Sequence, residues 1–61
     1  MQSITTTDGT TLTAPNDVRL AWAWAEHASG DRWARLNYGQ RCHLAADALA
    51  GLRRAADRTH A

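Results

Sequence analysis

At 61 residues the chain holds one domain at most, and a chain this short buries only about 60% of the surface that its unfolded form exposes, so its core is thin. Seven basic against six acidic residues leave a net charge of +1, too weak a field to draw in nucleic acid, a membrane surface or an acidic substrate over distance. Cys42 is the only cysteine, which excludes an internal disulfide. With no basic-then-apolar N-terminal stretch and no apolar run near ~18 residues, a reducing, cytoplasmic setting is expected and no membrane partner.

The first thirteen residues, MQSITTTDGTTLT, carry six of the seven threonines and none of the alanines. This composition shift divides a Thr-rich arm, 1–13, from a small helical part, 14–61. Asp8 and Gly9 separate two Thr-rich stretches, and Asp-Gly is a favoured type I′ pair, in which both central residues take positive φ. A short β-hairpin is predicted here, anchored by Ile4 and Leu12. An extended arm is the alternative, because an isolated two-stranded hairpin is marginal in water.

TAPND offers Thr13 or Asn16 as an N-cap, with Asp17 favourable at the positive helix end. A helix is predicted from about Ala14 to Ala28, closed by Ser29-Gly30, where glycine supplies the left-handed conformation. Asp31 can then cap a brief helical turn, DRWARL. NYGQ reads as a capping box with Asn37 as N-cap and Gln40 three residues on, opening a last helix from about Tyr38 to Arg58. Gly51 falls inside that helix, where it costs ~1 kcal/mol against Ala unless another backbone packs close. The fold class expected is mostly α: a short N-terminal β-hairpin or arm followed by a helical hairpin of two main helices with a short helical turn between them.

Within RLAWAWAEH, Trp22 and Trp24 lie about 200° apart on a helix at ~100° per residue, so they point to nearly opposite sides. Trp22 shares its side with Val18, Ala21 and Ala25, a stripe suited to the protein's own core. Trp24 shares its side with Leu20 and His27, which are expected to meet a partner. The alternative is that the hairpin or the DRWARL turn covers this second side from within. On the last helix, Cys42, Ala45, Ala46, Leu49, Leu52 and Ala56 form one broad face, extended by Leu44 and Ala48, with His43, Asp47, Arg54, Asp57 and Arg58 opposite.

Cys42 and His43 are adjacent, about 100° apart on a helix, which is awkward for a nucleophile and its base. Cys42 reads as an inert core residue, and His43 with Asp47 as a solvated i, i+4 pair. His27, His43 and His60 lack ligand spacing, and there is no phosphate loop or nucleophile elbow. No catalytic residue, metal, cofactor or small-molecule substrate is therefore expected.

The function that remains is a small non-enzymatic protein-interaction module: an accessory, regulatory or inhibitory subunit that binds a protein partner or a second copy of itself. Leu20, Trp24, His27 and Trp33 are its candidate partner-binding residues, since interface hot spots favour Trp, Tyr and Arg. The alternative is a small dimeric helix-turn-helix-like DNA-binding regulator that uses Arg32, Arg35 and Arg41. All seven basic residues are arginine and alanine is the commonest residue, a codon bias expected of a GC-rich bacterial or bacteriophage genome.

Overall fold

The computed structural model describes residues 1–60, with side chains through residue 57. The side chain of Arg58, expected on the polar side of the last helix, and residue 61, the end of the expected helical part, lie outside these limits. Strand β1 (Gln2–Thr5) pairs antiparallel with β2 (Thr11–Ala14), placing Ile4 opposite Leu12 and Gln2 opposite Ala14. Helix α1 spans Asp17–Ser29, a 3₁₀ segment follows over Gly30–Arg35, and helix α2 spans Tyr38–His60. The chain is thus mostly helical, with an N-terminal hairpin ahead of two main helices joined by a short helical turn, as its sequence pattern predicts.

The hairpin loop differs from the expected type I′ turn. Gly9 takes φ 89° but Asp8 does not take a positive φ. The Gly9 amide donates to the Thr6 carbonyl at 3.0 Å and the Thr6 amide to the Thr10 carbonyl at 2.8 Å, the pattern of a three-residue loop closed by a left-handed glycine. The Asp8 carboxylate accepts from the Thr6 hydroxyl and, at 3.1 Å, from the Thr10 amide. These bonds fasten Asp8 inside the turn, so only Gly9 needs left-handed backbone.

The hairpin also runs further than the composition shift suggests. Ala14 pairs in the ladder and is buried, so α1 begins at Asp17 rather than near Ala14. Asn16, not Thr13, is the cap: its backbone is extended and its side chain accepts from the Arg19 amide at 2.9 Å. Gly30, at φ 58°, ends α1 by donating its amide to the Glu26 carbonyl. The 3₁₀ segment follows directly with Ser29 before it and no side-chain cap, so Asp31 sits in its first turn instead of capping it. The capping box forms in full: the Gln40 amide donates to Asn37 Oδ1 at 2.8 Å, and the Asn37 amide to Gln40 Oε1 at 3.0 Å.

Asp17, at the start of α1, reaches Arg53, late in α2, at 3.6 Å, so the two helices run antiparallel. Helix α1 packs against α2 on one side and against both strands on the other. The core between these layers is Ala14, Leu20, Ala21, Ala25, Ala45 and Ala48, with no large side chain fully enclosed among the described residues. Alanines let the elements approach closely but bury little area each, which accounts for the thin core. The described part of the chain contains no helix long and apolar enough to cross a membrane.

Candidate functional site

Two clusters flank α1. The first is aromatic. Trp22 meets Trp33 edge-on, ring centroids 5.8 Å apart at 89°, and stacks on Tyr38 at 6.0 Å and 26°. The Arg41 guanidinium lies 5.2 Å from the Trp33 ring centroid and donates through Nε and Nη2 to the Trp33 carbonyl at 3.0 and 2.8 Å. This ties the connector to the first turn of α2. Trp22 is half-buried in this cluster, while Val18, expected beside it in the core, is 47% exposed. Ala21 and Ala25 of that expected core stripe are buried, and Leu20 of the opposite stripe is buried with them.

The second cluster is a groove of about 480 Å³ on the hairpin side of α2. Ile4 of β1 and Trp24, Ala25 and Ala28 of α1 form one wall. Leu44, Ala48, Gly51, Leu52 and Ala55 of α2 form the other, and only Ser29 and Asp47 bring polar side chains to its edge. Trp24, at 37% exposure, stands as a ridge between this apolar groove and a more polar cleft lined by Ile4, the Thr5–Asp8 loop, His27 and Ala28.

Each residue expected at an interface can now be placed. Leu20, expected on the partner side, is 3% exposed and belongs to the protein's own core, so it cannot meet a partner. His27 is engaged within the chain, donating from Nε2 to Asp8 Oδ2 at 2.9 Å and so clasping the hairpin loop to the end of α1. The Thr6 hydroxyl foremost, then the Thr10 amide and His27, hold the Asp8 carboxyl well below the usual carboxylate range. Trp33 lies in the aromatic cluster and does not line the groove of Trp24. Arg32 and Arg35 are exposed on the 3₁₀ segment, whereas Arg41 is committed to Trp33.

Of the groove's far wall, the sequence places Leu44, Ala48 and Leu52 on the apolar face of α2 but does not single out Gly51 and Ala55, which recur with Leu44 and Ala48 at helical spacing. Cys42 is half-buried, and the neighbouring thiol pushes the Tyr38 phenol up from its ordinary pKa. His43 meets Asp47 at 3.7 Å in an exposed pair. Among the described residues, no group of three His, Cys, Asp or Glu side chains could hold a metal ion. An open cleft lined by alkyl and indole carbon, with few polar groups converging on it, suits an apolar surface better than a small polar molecule that must be oriented. No family model matches this chain, nor does any curated protein or solved structure.

Proposed function

We propose that this chain is a small non-enzymatic protein-interaction module, an accessory or regulatory subunit that receives an apolar helical segment of a protein in the groove beside Trp24. The observation that supports it is the pairing of an exposed indole ridge with an apolar α2 wall that none of the described residues fills. Exposed apolar patches of this kind mark association surfaces in soluble proteins, and a Trp at the rim of a pocket is a common anchor. Ile4 and Trp24 supply the bulk, and Ala48, Gly51 and Ala55 leave room for a backbone to approach.

The test is co-purification from the native host with tagged wild-type, Trp24→Ala and Arg32→Ala/Arg35→Ala chains. A stoichiometric protein partner, a second copy included, that is retained by the wild type and the arginine variant and lost with Trp24→Ala supports the module. Retention on DNA that falls steeply with salt and depends on Arg32 and Arg35 would favour nucleic-acid binding instead.

A further inference from the structure

We propose, building on the interaction-module reading, that the groove's occupant is a second copy of this chain, with two α2 helices packed antiparallel about a two-fold axis near residues 48–51. The first ground is area. The chain exposes 4638 Å², whereas a compact 6.7 kDa monomer exposes about 3,900 Å² by the usual size scaling. The surplus is close to the ~800 Å² that each partner buries in a standard stable interface.

The second ground is Gly51. A Cβ built there meets nothing within 4 Å, so no neighbour inside the chain requires a glycine in mid-helix. Leu44, Ala48, Gly51 and Ala55 form a seam with alternating steps of four and three, the spacing by which helices pair. In an antiparallel pair Gly51 of the second copy seats on the groove floor at Ala48, which is 8% exposed, and its Ala55 lies against Leu44. Large then meets small, and the two backbones come close where Gly51 has no side chain. Trp24 and Ile4 close over the incoming helix from the wall opposite α2.

The third ground is charge. Asp47 and Arg54 flank the seam on the same side, seven residues apart, and both are exposed. A two-fold antiparallel arrangement runs this flank against its own reverse, so Asp47 faces Arg54 of the second copy, twice per dimer. In a parallel two-fold pair this flank of each helix lies on opposite sides of the seam, so Asp47 and Arg54 would not meet and both contacts would be lost. The charges therefore select the antiparallel pair.

The experiment is light scattering after size exclusion and sedimentation equilibrium on the purified full chain over a wide concentration range. The wild type is expected to be dimeric. Gly51→Leu, whose Cβ meets no heavy atom within 4 Å in the chain, is expected to keep its helical circular dichroism and become monomeric. Asp47→Arg and Arg54→Asp should each weaken dimerisation by about tenfold, because each turns two attractive contacts repulsive. The double variant should restore the dimer, and the two single variants mixed should form heterodimers. A dimer indifferent to Gly51→Leu, or charge variants whose effects simply add, would overturn the proposal. So would a wild type that stays monomeric throughout; if such a monomer still retained a different host protein through Trp24, the dimer alone would fall and the interaction module would stand.

Discussion

Replacing Trp22 by Ala removes the ring that joins α1 to both the connector and the start of α2. A tryptophan carries roughly 150–250 Å², so burying most of it at ~25 cal/mol/Å² stabilises the fold by about 3–5 kcal/mol. The edge-on contact with Trp33 and the stack on Tyr38 add ~0.5–1.5 kcal/mol each, while partial collapse of the site offsets some of the loss. A net destabilisation of ~3–5 kcal/mol compares with only about 3–9 kcal/mol of total stability for a domain of this length. At about 4–8 °C per kcal/mol, the melting midpoint should fall by at least ~12 °C, and at the upper end no cooperative transition should survive. Thermal and urea unfolding followed by circular dichroism measures this, with Trp24→Ala beside it as the variant expected to stay folded. A Trp22→Ala midpoint within ~4 °C of the wild type would refute the claim that the aromatic cluster holds the helical hairpin together.

Asn37→Ala, which empties one half of the capping box, should cost ~1 kcal/mol and appear as early fraying of the first turn of α2 in amide exchange. Asp8 has a folded-state pKa below its unfolded one, so its contribution is present above the unfolded value and is lost as pH falls through the folded one. Amide exchange at Thr10 should therefore be flat near neutrality and quicken, relative to intrinsic rates, progressively below pH ~4. In Asp8→Asn that acid-dependent step should be absent, with the hairpin loosened at every pH. Cys42→Ala should cost little stability, leave oligomeric state unchanged and lower the Tyr38 phenol's titration midpoint in ultraviolet absorbance, since the neighbouring thiol is the main cause of its upward shift.

Local chemistry made much of this fold legible in the amino-acid sequence. Asn16 and Asn37 cap helices because a short side-chain oxygen reaches the free amides of the first turn, and Gly30 ends α1 because glycine takes positive φ without strain. Those interactions span three or four residues, so sequence alone determined the number, order and approximate limits of the elements. It also determined that Trp22 and Trp24 could not share one direction. Which side of α1 would be buried was decided only by the tertiary structure, because burial depends on where α2 and the hairpin lie and not on α1's own periodicity. Tertiary packing took Leu20 into the core, and docking of the hairpin drew His27 to Asp8, nineteen residues away. The same docking set Ile4 and Trp24 opposite Leu44, Ala48 and Gly51, a groove whose walls come from three separate elements. No spacing along one helix encodes that juxtaposition, since it is a product of packing over distance.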